Sequence, residues 1–115
     1  MPGEFFDNWS TQLRKGMLEL GILNAVQSNR LYGYDIAKRM RDIDGLVVSE
    51  GTIYPILSRL KREGLVATQL EESSEGPARK YYHLTARGKT RIKQMNAHWT
   101  AVRDGIESLR NEDTP

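Results

Sequence analysis

The chain has 115 residues, no cysteine, and 17 basic against 15 acidic side chains, a formal net charge of +2. This length fits one domain with a modest core that a second subunit would help to stabilise; without cysteine, disulfide scaffolds and thiolate metal sites are excluded and a reducing compartment fits. No secretory signal pattern or apolar run of membrane-spanning length occurs, so a soluble cytoplasmic protein with no membrane partner is expected.

Phe5, Phe6 and Trp9 form an aromatic patch ahead of the first long periodic segment. Over 11–28, Leu13, Met17, Leu20 and then Leu23 or Asn24 recur at helical steps, and Leu18, Ile22, Ala25 and Val26 widen the stripe until it is nearly apolar all round. A largely buried helix is predicted. Ser28-Asn29-Arg30 breaks the pattern, a short helix follows over 34–43 with Ile36, Met40 and Ile43 on one side, and Asp44-Gly45 makes a turn. Residues 46–48 are rich enough in β formers for a short strand.

The segment 49–85 is the most informative. At about 100° per residue, Ile53, Ile56, Leu57 and Leu60 fall within one apolar stripe of a helix. Gly51, Pro55, Ser58 and Arg62 then face outward, flanked by Tyr54 and Lys61 on one side and Thr52 and Arg59 on the other. Ser49 can cap this helix and Gly64 can end it in a left-handed conformation, while Pro55 should kink or delay its start. Hydroxyls and cations on one face suit a DNA major groove and its phosphates; a merely solvated amphipathic helix is the competing interpretation.

A β-hairpin follows, with strands over 65–70 and 80–84 and a polar loop over 71–77 punctuated by Gly76-Pro77. Tyr81 and Tyr82 alternate, so one enters the core and the other faces out. From 79 to 91 there are five cations, Arg79, Lys80, Arg87, Lys89 and Arg91, and no acid, whereas Glu63, Glu71, Glu72 and Glu75 lie just before them. A return strand opening on Arg79-Lys80 would deliver charge to a backbone or a minor groove.

From Thr85 onward, Ile92, Met95, Trp99, Val102, Ile106 and Leu109 are spaced by three, four, three, four and three. This seam is short for a coiled coil, and packing on the chain's own domain is the alternative. A helix this long would project from so small a domain, so a two-fold partner is expected to bury the seam and to receive Phe5, Phe6 and Trp9. The order helix, helix, short strand, helix, strand, wing, strand, helix is mainly α, of the α+β kind: a winged helix-turn-helix over residues 1–84 and a long C-terminal dimerisation helix over 85–115. A C2 dimer would read a palindrome with half-sites about one helical turn apart.

Leu31-Tyr32-Gly33-Tyr34-Asp35-Ile36, Ser49-Glu50-Gly51-Thr52-Ile53-Tyr54-Pro55-Ile56-Leu57, the stretch 60–65, and Arg79-Lys80-Tyr81-Tyr82-His83-Leu84-Thr85 with Gly88 resemble the PadR-type transcriptional regulators. The resemblance covers about residues 11 to 110 and implies a winged helix with a C-terminal dimerisation helix. It also implies a repressor released by a small molecule or stress signal and acting on the nucleoid, in a short branch that includes multidrug sensors. By position it implies a DNA-facing set of Tyr34, Ser49, Gly51, Thr52, Tyr54, Pro55, Ser58, Arg59 and Arg62, with Arg79 and Lys80 on the wing. For Tyr34 and Tyr54, packing between the two helices is the alternative.

Trp99, in mid-seam, is the candidate ligand-binding residue. Two such indoles across a two-fold axis would make a slot for a flat aromatic effector, and the multidrug-sensing branch implies the same; simple seam packing is the alternative. With Arg103 one turn on, a neutral or anionic ligand fits at least as well as a cationic one, and Glu19 is the acid that could compensate. No catalytic site, metal site or cofactor is expected: His83 and His98 lack ligand spacing, and no glycine-rich phosphate loop or nucleophile motif occurs. A winged-helix protein-interaction module without DNA binding is the main rival function.

Overall fold

The computed structural model describes residues 2–46 and 48–112. In chain order they form α1 (Pro2–Ala25), β1 (Leu31–Tyr32), α2 (Gly33–Arg41), α3 (Glu50–Arg62), β2 (Val66–Ser73), β3 (Gly76–Leu84) and α4 (Ala86–Asn111). The strands make one antiparallel sheet in the order β1-β3-β2. This is a winged helix-turn-helix with a long C-terminal helix, as the sequence predicts.

The core gathers one face from each helix: Leu18, Ile22, Leu23 and Val26 from the end of α1, Ile36, Ala37 and Met40 from α2, and Ile53, Leu57 and Leu60 from α3. Leu65, Val66, Tyr82 and Leu84 close it from the sheet, and Ile92 from α4. The period-3.6 stripe of α3 is thus the buried face, while Gly51, Pro55, Ser58 and Arg62 are exposed.

Several expectations need correction. Helix α1 starts at Pro2 rather than 11, so Phe5, Phe6 and Trp9 ride on it, and only its C-terminal half is buried. The third strand is Leu31–Tyr32, before α2; Leu46 and Val48 lie outside any strand, and Val47 lies outside the described residues. Pairing with Tyr81 and Tyr82 creates β1, a long-range partnership that local propensity does not carry. Ile43 stays 46% exposed, because α2 ends two residues earlier. The expected loop over 71–77 is mostly strand: β2 and β3 run on to a turn at Ser74 and Glu75. Glu71 pairs with Arg79 and Ser73 with Gly76, so Pro77 and Ala78 together oppose Glu72. A bulge absorbs the proline there, which has no N–H to give the ladder.

Two contacts set α4 against the rest. Asn24 and Asn96 exchange amide hydrogen bonds, each Nδ2 donating to the other's Oδ1 at 2.9 Å, which pins α1 and α4 in register. At the N-terminus of α4, the Thr85 hydroxyl accepts from the Gly88 N–H at 3.0 Å and donates to the Gly64 carbonyl at 2.6 Å, while the Thr85 N–H donates to the Leu65 carbonyl at 3.1 Å. Gly64 takes φ +77°, ending α3 in the expected left-handed conformation. A Cβ on Gly88 would collide with the Leu65 carbonyl oxygen and come within 3.2 Å of Leu84 Cδ2. Gly88→Ala should therefore destabilise the chain by about 1–3 kcal/mol in urea denaturation, through overpacking against backbone that cannot yield; an unchanged midpoint would refute this close approach.

Candidate nucleic-acid interface

Helix α3 begins directly after Ser49, with no delay from Pro55. Its first turn is tightened by a Thr52 N–H bond to the Ser49 carbonyl at 3.1 Å. Ser49 holds the capping position in an extended conformation, but its hydroxyl pairs with the Thr52 hydroxyl at 3.2 Å instead of a backbone N–H. Pro55 lies on the solvent face, so the Gly51 carbonyl that loses its intrahelical donor is open to water.

Tyr34 and Tyr54 are both exposed, at 47% and 41%. With Arg79 and Lys80 they line one cleft of about 360 Å³, completed by Tyr32, Gly33 and Tyr82. The start of α2, the middle of α3 and the root of the wing therefore meet, although 20 or more residues separate them in sequence. Tyr54 comes to rest on Gly33, where a side chain would meet its ring.

The sequence did not single out Tyr32, Arg30 or Arg41. The Tyr32 ring stacks on Tyr34 at 6.3 Å, meets Tyr81 edge-on at 5.8 Å and carries the Arg79 guanidinium at 4.9 Å. Arg30 lies over Tyr81 and pairs with Glu71, and Arg41 lies over Tyr34 and pairs with Glu50 at 3.2 Å. Such cation–π contacts are worth about 0.5–1 kcal/mol at exposed sites, so they orient Arg79 without locking it. Alternation of Tyr32, Tyr34 and Tyr81 around a short strand was the available signal, but it depends on knowing that β1 pairs with β3. Tyr82 is the core member of the Tyr81-Tyr82 pair and Tyr81 the outer one.

Arg59 sits apart from the rest of its set. Its guanidinium contacts Glu63 at 3.1 Å and Glu19 of α1 at 3.5 Å. The hydrogen bond to Glu63 and the nearby Glu19 charge raise its pKa above the ordinary arginine value against the opposing effect of burial. Glu19, which the sequence offered as a compensating acid for a ligand, is thus paired with Arg59.

The seam of α4 divides in two. Ile92 is buried in the chain's own core, which removes it from the expected subunit interface, and Met95 and Trp99 pack against that core half-buried. Val102, Ile106 and Leu109 are 41%, 53% and 64% exposed. Phe5, Phe6 and Trp9 are exposed as well, with the Phe6 and Trp9 rings 6.3 Å apart. Between α1 and α4 runs an apolar groove of about 560 Å³, walled by Leu13, Met17, Met95, Trp99, Val102 and Ile106 with Arg91 and His98 at its edge. Among the described residues no group of three or more His, Cys, Asp or Glu could hold a metal, and no helix is long and apolar enough to cross a membrane.

An exposed recognition-type helix, a basic wing root and a tyrosine-lined cleft between them define a winged-helix DNA-binding protein. Residues 22–94 match the transcriptional regulator PadR-like family, and the chain belongs to that family. It is accordingly a DNA-binding transcriptional regulator and not an enzyme. A PadR-like transcriptional regulator of Bacillus cereus is 35% identical, with a TM-score of 0.81 over 89% of this chain and 99% of that one. A PadR family regulator of Eggerthella lenta is 27% identical and covers 96% of both chains, with a TM-score of 0.80. A transcriptional regulator of Mycobacterium tuberculosis is 28% identical over 101 residues, 88% of this chain and 86% of that protein.

Burial, with Tyr54 nearby, pushes the Tyr82 phenol above the ordinary tyrosine range. The folded chain holds that proton more tightly than the unfolded one. Its stabilising contribution is therefore full below the ordinary tyrosine pKa of about 10 and is lost as pH rises through the higher folded value. Tyr82→Phe should lose less stability than the parent between neutral and strongly alkaline pH in urea titrations. Equal losses in both proteins would take Tyr82 out of this role.

Proposed function

We propose that the chain is a homodimeric repressor that reads a palindromic operator and releases it when a planar aromatic ligand enters the groove beside Trp99. The carrying observation is that Tyr34, Tyr54, Arg79 and Lys80, from three separate elements, line one exposed cleft continuous with the outward face of α3. In this reading Gly51, Thr52, Pro55, Ser58 and Arg62 face the major groove, Ser49 lies at its edge, and Arg79 and Lys80 take backbone phosphates.

Dimerisation is supported by the uncovered half of the seam. Val102, Ile106 and Leu109 continue the stripe that Met95 and Trp99 begin, and the chain measures 61 Å along its longest axis against 23 Å along its shortest. A second copy would cover these residues with Phe5, Phe6 and Trp9. For the ligand, the groove wall is apolar, and its charged edge carries Arg91 with no carboxylate, which favours a neutral or anionic aromatic molecule over a cation.

Arg62→Ala with Lys80→Ala should weaken binding to DNA from upstream of the chain's own coding region and reduce its salt slope by about one for each phosphate left without a cation; gel shifts unchanged across salt would sink the assignment. Light scattering of Val102→Asp with Ile106→Asp should give monomers, and a dimer persisting at micromolar concentration would refute the interface. Planar aromatics that release DNA should quench tryptophan fluorescence, and Trp99→Ala should abolish release; release that persists removes Trp99 from the site.

A further inference from the structure

The cluster of Glu19, Arg59 and Glu63 is left without a part in that scheme. One guanidinium carries two carboxylates from different helices, so the group has one negative charge over. Arg59 lies one helical turn from Pro55 and from Arg62, both on the exposed face of α3, and its side chain is itself 40% exposed. Glu63 belongs to the end of α3 and travels with Arg59, whereas Glu19 stands on α1 between the buried Leu18 and Leu20 and cannot follow it. Ion pairs this exposed hold weakly, and a phosphodiester is an acceptor that guanidinium matches with two parallel hydrogen bonds.

We propose that Glu19 is a positioning residue for DNA binding: it holds Arg59 against α1 in the free protein, and Arg59 transfers to an operator phosphate on docking. Glu19 thereby tunes affinity without touching DNA. The transfer is an exchange of one acceptor for another, and it exposes the Glu19 carboxylate to water. The inference rests on the assignment of α3 as the reading helix.

The test measures affinity across salt for the duplex that the wild-type chain selects from a random pool, using Glu19→Gln, Arg59→Gln, their combination, and Arg62→Gln as reference. Glu19→Gln should bind about two- to fivefold more tightly, with a salt dependence steeper by about one per protomer. Both gains should vanish in the Arg59→Gln background, and Glu19→Ala should repeat them. Tightening that persists without Arg59 is long-range relief of repulsion and overturns the proposal, as does an unchanged affinity in Glu19→Gln while Arg62→Gln weakens binding. If Arg62→Gln also leaves affinity unchanged, the assignment of α3 fails and takes this proposal with it.

Discussion

The junction at Thr85 is the constraint on which the rest of the molecule depends. One hydroxyl caps α4 from within and bonds the residue that ends α3, and Gly88 lets the first turn of α4 settle on the Leu65 carbonyl. The direction of α4 is consequently fixed relative to the end of α3. In the proposed dimer, a partner gripping the far half of α4 would therefore also set the attitude of α3, so that pairing and reading would share one joint.

Part of the charge around that frame is neutralised in place. Net charge is only +2, and Arg30, Arg41 and Arg59 each have an acidic partner. Among the described residues, Lys61, Arg62, Arg79 and Lys80 have no such ion pair, and they are the cations on or beside the outward face of α3 and the wing root. These four supply positive potential on that face, which matters more for a phosphate backbone than the overall balance.

Local periodicity made much of this legible. The buried stripe of α3, its outward residues, the left-handed Gly64 and the alternation of Tyr81 and Tyr82 all follow from rules that span a few positions. What escaped depends on partners distant in sequence. Leu31 and Tyr32 are a strand only because Tyr81 and Tyr82 stand opposite. The acidic Glu71 reads as loop until Arg79 faces it across the ladder. Arg59 belongs to the polar flank of α3 by angle, yet its environment is set by Glu19, 40 positions earlier in a helix whose approach no local rule gives. Ile92 shows the same limit, since the heptad spacing is correct while its first member is already consumed by the chain's own core.

The reciprocal amides of Asn24 and Asn96 have an evolutionary consequence. Each satisfies the other, so exchanging one for an apolar residue strands a half-buried amide, whereas exchanging both leaves no polar group in want of a partner. Divergent relatives should therefore cross this position by paired change, and the two sites should covary as a unit even where neither is retained as asparagine.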